Sequence, residues 1–77
     1  MVDTAELRRR MGNSGMTMSF IARKSHIKRE TLYKKLASGD FTVTEALHLS
    51  ETLRFKISER NSIFFAKQGE SDSHIED

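Results

Sequence analysis

An all-α fold, a compact bundle of about five short helices, is what this 77-residue chain predicts, and three observations carry the expectation. Apolar residues recur at spacings of three and four in several short windows, the period of helices with one buried face. Asp, Thr and Gly residues punctuate those windows where helices start and stop. The chain contains neither proline nor cysteine, so no disulfide framework or thiolate metal site organises it, and its length suits one domain with a small core. Its apolar runs are only a few residues long, which leaves no room for a signal peptide or a membrane span and makes a cytoplasmic location the default expectation.

The first helix is expected from Ala5 to about Met11, capped by Asp3 or Thr4, with Glu6 in the first turn, where a negative charge suits the helix dipole. Leu7 and Met11 lie four apart and face the core. Arg8, Arg9 and Arg10 form the densest run of cations; the helix C-terminus favours them electrostatically, and phosphate contact, assigned to Arg10, is the second reading. Gly12, Asn13, Ser14 and Gly15 then break the helix.

From Met16 to Leu36 the sequence MTMSFIARKSHIKRETLYKKL reads as two short helices joined by a tight turn, a helix-turn-helix. Phe20, Ile21, Ala22, Ile27, Leu32 and Leu36 supply its apolar positions, and Arg23, Lys24, Lys28, Arg29, Lys34 and Lys35 lie between them. Thr17 is the expected N-cap of the second helix, which ends near Ser25 with His26 in the turn. The third helix starts near Lys28, a residue without a capping oxygen, and runs to Leu36 or Ala37 with Gly39 as its stop. Its outer face carries Arg29, Glu30, Tyr33 and Lys34, side chains able to reach base edges or phosphates if the helix enters a major groove. Arg29 suits bidentate reading of guanine. Glu30 is spaced either to pair with Lys34 or to accept from a cytosine amine.

Phe41 anchors the chain after the loop, and Thr42 with Glu45 forms a capping box for a fourth helix reaching about Leu53. Val43, Ala46, Leu47, Ser50 and Leu53 make its expected inner face; Leu49 lies off that stripe and either widens it or faces a partner. Residues 54 to 57 read as a connector with Phe55 and Ile57 buried. Ser58 then caps a fifth helix from Glu59 to about Lys67. Ile63, Phe64 and Phe65 span about 200 degrees of that helix, wide for one core-facing stripe. Either all three pack inside, or with Leu49 they mark a protein interface, of a homodimer or with another protein.

Charge divides the chain into a domain, residues 1–67, and an acidic tail, residues 68–77. The first holds all 13 lysines and arginines against 7 acids, a net of +6, and the second holds four acids and no base, −4. A small basic domain invites polyanions, of which double-stranded DNA is the foremost. The tail, QGESDSHIED, has no periodicity and reads as disordered. His26, His48 and His74 have no paired ligand spacing, so neither a metal nor a cofactor is expected. With no cysteine nucleophile, paired carboxylates or glycine-rich phosphate loop, the chain does not read as an enzyme.

The pattern over roughly residues 5–66 resembles the Cro/C1-type (XRE-like) helix-turn-helix family of phage and bacterial regulators. Its best stretches are MTMSFIARKSHIKRETLYKKL and FTVTEALHLSETLRFKISERNSIFF, the second resembling small temperate-phage proteins, either Cro-like repressors or modulators of the lysogeny repressor. The resemblance implies a five-helix domain, often dimeric on a palindromic operator, acting in the bacterial host cytoplasm at the nucleoid. Carried over by position, Lys28, Arg29, Glu30, Thr31 and Lys34 face the bases, while Thr17 and Met18 meet the phosphate backbone, joined by Arg10, Tyr33 and Lys35. Three positions depart from the family pattern. Met18 stands where an amide is common, His26 replaces the usual glycine, and Lys28 occupies the place of a small polar cap. A sequence-specific transcriptional regulator is the function this implies, with an antirepressor that binds another repressor as the alternative.

Overall fold

The structure, a computed structural model, describes residues 2–65, and within them the chain forms five α-helices and no strand. They are α1 (Thr4–Gly12), α2 (Met18–Lys24), α3 (Arg29–Ser38), α4 (Val43–Leu53) and α5 (Ile57–Phe64). Helix α2 packs on α3 and α4, α1 on α3 and α5, and α5 on α4, which encloses one core. The expected acidic tail, residues 68–77, and the end of the 1–67 domain lie outside the described residues.

Three of the starts follow from side-chain capping. Asp3 Oδ1 accepts from the Glu6 N–H (3.1 Å), Thr17 Oγ1 from Phe20 N–H (3.0 Å) and Thr42 Oγ1 from Glu45 N–H (3.1 Å). Each satisfies an amide that has no partner within its own helix. The Glu45 carboxylate reaches back to the Thr42 N–H at 2.9 Å and completes the capping box. Lys28 opens α3 without any side-chain cap.

Helices α2 and α4 end where the sequence predicts, at Lys24 just before Ser25 and at Leu53. Gly39 closes α3 in the left-handed region (φ 75°), as its sequence position suggests, but α2 and α4 end the same way on His26 (φ 61°) and Arg54 (φ 60°). Around each of those two residues the hydrogen bonds form one pattern. The His26 and Ile27 N–H groups donate to the Arg23 and Ala22 carbonyls, and those of Arg54 and Phe55 donate to Glu51 and Ser50. This is the Schellman closure, in which the left-handed residue recovers the last orphaned carbonyls of the helix. A residue bearing Cβ carries a conformational cost in that region, which these two closing hydrogen bonds offset. The exposed His26 ring meets His48 edge-on at 5.2 Å between centroids.

Leu7, Met11, Ile21, Ala22, Ile27, Leu32 and Leu36 are buried as their spacing predicts. The fourth helix turns differently from the expectation. Leu49 is fully buried with Ala46 and Ser50, whereas Val43 is 62% exposed and Leu47 38%. The inner stripe is therefore Ala46, Leu49, Ser50 and Leu53, because α2 approaches α4 on that side and seats the turn against it. Ser25, fully buried, donates to Thr52 Oγ1 at 3.0 Å, and Ser50 Oγ donates to the Ala46 carbonyl at 2.7 Å, so both buried hydroxyls are satisfied.

Helix α5 also begins earlier than Ser58. Lys56 is its N-cap residue, the Glu59 carboxylate accepts from the Lys56 N–H at 2.8 Å, and Ile57 is left 68% exposed rather than buried. Ile63 and Phe64 are buried, Phe65 is half-buried, and Phe64 meets the Phe41 ring edge-on at 5.9 Å. The Asp3 N–H donates to the Ile63 carbonyl at 2.7 Å, tying the end of α5 to the start of α1. Leu49, Ile63 and Phe64 thus belong to this chain's own core. Of the four residues expected at a protein interface, Phe65 alone keeps substantial exposure.

Ion pairs join the helices at the rim. Arg10 spans from α1 to Glu59 of α5 (3.1 Å) and lies over the Phe55 ring at 4.8 Å; Lys35 spans from α3 to Glu45 of α4 (3.1 Å). Partial burial alone would raise the Glu45 carboxyl, but the Thr42 N–H and the Lys35 ammonium hold it below the usual carboxylate range. A depressed acid stabilises the fold above its unfolded value of about 4.3, and that contribution is lost as pH falls through the folded value. Glu45→Gln, which keeps a cap acceptor but removes the charge, is expected to cost up to ~1 kcal/mol at neutral pH. It is also expected to flatten the acid limb of stability, measured by urea denaturation from neutral pH to below the carboxylate range.

Candidate nucleic-acid interface

Helix α3 is held by its Leu32 and Leu36 row, which is buried, and this orients everything else on it. Residues one and two places along from that row emerge on the surface: Arg29, Glu30, Tyr33 and Lys34 are exposed, and Lys28 is exposed just ahead of them. Thr31 is half-buried on the helix flank. The five residues expected to meet bases therefore share one short helix and its N-cap, but Thr31 offers the least accessible side chain.

The expected pairing of Glu30 with Lys34 is absent from the ion pairs among the described residues, which engage Glu6, Glu45 and Glu59 instead. Both side chains of the outer face remain available to a ligand. Arg29 likewise enters none of these pairs.

Two of the residues expected to hold phosphate are committed elsewhere. Lys35, besides its pairing with Glu45, donates to the Asp40 carbonyl at 3.3 Å, so its ammonium is drawn toward α4 and away from the outer face of α3. Arg10 sits between Glu59 and Glu6, 3.1 and 4.0 Å away, on the α1–α5 side of the molecule. A cation already neutralised on another face adds little to phosphate binding.

Thr17 keeps its capacity. Its Oγ1 accepts from Phe20, and the hydroxyl hydrogen of the same group remains a donor for an external oxygen. Met18 and Tyr33 converge from α2 and α3 on a surface groove of about 240 Å³, lined also by Arg8, Met11, Met16 and Leu36. Met18 is half-buried against the core and brings no donor to a phosphate, so its contribution is apolar contact. The Tyr33 hydroxyl is the polar handle of this groove, on a side chain 47% exposed.

Arg8 is the cation that sequence reasoning did not single out. Arg9 is held by Glu6 through two short hydrogen bonds, 2.7 and 2.9 Å, which raise the arginine and lower the glutamate from their ordinary values. Arg8 is exposed and stands in the groove beside Met18 and Tyr33. The signal was present in the spacing. Glu6 lies three and four residues before Arg9 and Arg10, which face it on a helix, and two before Arg8, which does not. Of the arginine run, the first member and not the third therefore borders α2 and α3.

Arg23 and Lys24, exposed at the end of α2, enlarge the basic surface; the Arg23 guanidinium rests 5.5 Å from the Phe20 ring centroid. The arrangement can attract a polyanion through Arg8, Arg23, Lys24, Lys28, Arg29 and Lys34, the last two on the exposed face of α3. Among the described residues no three His, Asp or Glu side chains gather as a metal-binding group, and no helix is long and apolar enough to cross a membrane. Comparison with protein-family models, curated proteins and solved structures finds no match for this chain.

Proposed function

We propose that this chain is a sequence-specific, double-stranded-DNA-binding transcriptional regulator of the phage or bacterial type, working in the host cytoplasm with α3 in the major groove. The observation that carries the reading is the division of cations between faces. Arg9, Arg10 and Lys35 are tied into ion pairs, while Lys28, Arg29 and Lys34 stand exposed with Glu30 on a helix whose opposite row is locked in the core. A rigid helix carrying both a forked donor and a carboxylate has the chemistry to read guanine and cytosine edges. The resemblance to Cro/C1-type regulators agrees with this assignment and adds Thr17 as a phosphate contact.

The test is fluorescence anisotropy against a labelled operator-region duplex with excess unlabelled nonspecific DNA. Tight binding is expected to survive the competitor. Arg29→Ala is expected to cost ~1–3 kcal/mol on the preferred duplex and to relax preference at one base pair. Uniform weakening across sequences would instead assign Arg29 to the backbone. Complete competition would remove α3 as an independent reader.

One observation favours a second reading, an antirepressor or modulator that binds another repressor. The groove between Met16, Met18 and Tyr33 is apolar and rich in methionine, a side chain that adapts to varied partner surfaces. Under that reading, Met18→Ser abolishes capture of the partner repressor and leaves nonspecific DNA binding unchanged.

A further inference from the structure

His26 and His48 are distant in sequence, yet the fold brings their rings to 5.2 Å between centroids at an interplanar angle of 68°. His26 stands in the turn between α2 and α3, and His48 in the middle of α4. Both backbones are fixed. The His26 N–H donates to the Arg23 carbonyl at 3.2 Å and the Ile27 N–H to the Ala22 carbonyl at 3.0 Å, which closes the turn. Ser25, the residue before His26, is fully buried and donates to Thr52 Oγ1 at 3.0 Å, and Thr52 lies one helical turn beyond His48 on the same side of α4. One hydrogen bond between the two elements thus fixes the relative position of the two imidazoles. A site held in this way needs little ordering when a ligand arrives.

The separation says what the pair suits. A zinc ion binds an imidazole nitrogen at about 2.0–2.1 Å, and the ring centre lies about 1.1 Å behind that nitrogen. Two imidazoles on one tetrahedral ion therefore have centroids about 5.2 Å apart, whereas neighbouring positions of a tetragonal ion bring them to about 4.5 Å. The observed separation is the tetrahedral one, the geometry of zinc(II). His26 is exposed and His48 half-buried, so rotation about the soft second torsion of each ring aims a nitrogen at a shared ion without disturbing the core. The side-chain hydrogen bonds among the described residues engage neither imidazole, so nothing competes for the ring nitrogens. No third His, Asp or Glu joins the pair among the described residues, which leaves the other positions of the ion to water or to a group brought by a partner.

We propose that His26 and His48 form a two-imidazole zinc(II) site that staples the turn between α2 and α3 to α4. The ion binds the folded chain, where the two elements meet, more tightly than the unfolded one, and so stabilises the fold. Sequence spacing hides such a site because its ligands come from two elements that only tertiary packing joins. The proposal goes beyond DNA reading and does not depend on it.

Isothermal titration calorimetry of the full-length chain with zinc chloride, in a buffer that does not chelate the ion, tests it. Saturable binding is expected, together with a urea midpoint that rises as zinc is added. His26→Asn and, separately, His48→Gln are expected to weaken binding at least about 10-fold and to abolish the zinc-dependent rise in midpoint. Asparagine tolerates the left-handed backbone at position 26 and glutamine the helical one at position 48, so both variants keep the fold, which circular dichroism checks. Magnesium chloride at the same concentration is expected to leave the midpoint unchanged, because that hard ion prefers oxygen ligands. A chain that takes up no zinc overturns the proposal. So does uptake that survives both substitutions and falls with His74→Asn instead.

Discussion

Phe64→Ala is expected to lower the unfolding free energy by about 3–5 kcal/mol. Phe64 is 4% exposed, meets Phe41 edge-on and closes the core at the end of α5. Truncation removes the transfer energy of the ring and leaves a cavity that the short helix cannot collapse without moving Ile63, whose carbonyl holds the Asp3 amide. A domain of this size has a stability of about 5–15 kcal/mol at best, so the variant should be marginally folded. Urea denaturation followed by circular dichroism reads this directly, with a reduced midpoint and little change in slope. Had Phe64 been an exposed partner contact, the same truncation would leave the midpoint within about 0.5 kcal/mol of its original value.

The second large effect concerns salt. Of the eight exposed cations outside the ion pairs among the described residues, six, Arg8, Arg23, Lys24, Lys28, Arg29 and Lys34, belong to α1, α2, and α3 with its N-cap. If two copies bind one operator and each neutralises three to five phosphates, raising salt from about 50 to 200 mM is expected to weaken binding by about 10³–10⁵-fold through counterion release. One copy acting alone would lose only about 30- to 500-fold over the same range. The slope of log affinity against log salt, measured by anisotropy, thus counts the phosphates neutralised in the complex. Arg10→Ala and Lys35→Ala should leave that slope unchanged, because both cations are neutralised away from the outer face of α3. A slope that falls by one unit in either variant would return that residue to the phosphate backbone.

Local signals in this chain are short-range, and they were legible. A cap needs only a hydroxyl or carboxylate and an amide three residues on, so Asp3, Thr17 and the Thr42–Glu45 box could be read from neighbours alone. The same holds for Gly39, where a missing side chain invites the left-handed turn. His26 and Arg54 adopt that turn too, closed by backbone hydrogen bonds, yet neither residue type announces it. Helix α4 shows the same limit in its faces. Spacings of three and four fit a stripe through Val43 and Leu47 as well as one through Leu49 and Leu53, and only the approach of α2 selects the second.

The sequence by itself determined that five short helices form, where most of them begin, and that a helix-turn-helix carries its cations outward. Those properties follow from period, caps and composition, which act within a few residues. The tertiary structure decided that Leu49, Ile63 and Phe64 face inward while Val43, Leu47 and Ile57 remain outside. It also decided that Arg10 and Lys35 are bound to Glu59 and Glu45 while Arg8 borders the α2–α3 groove. Which side of a helix is buried, and which cation finds an acid, depends on helices distant in sequence, and no local pattern contains that information.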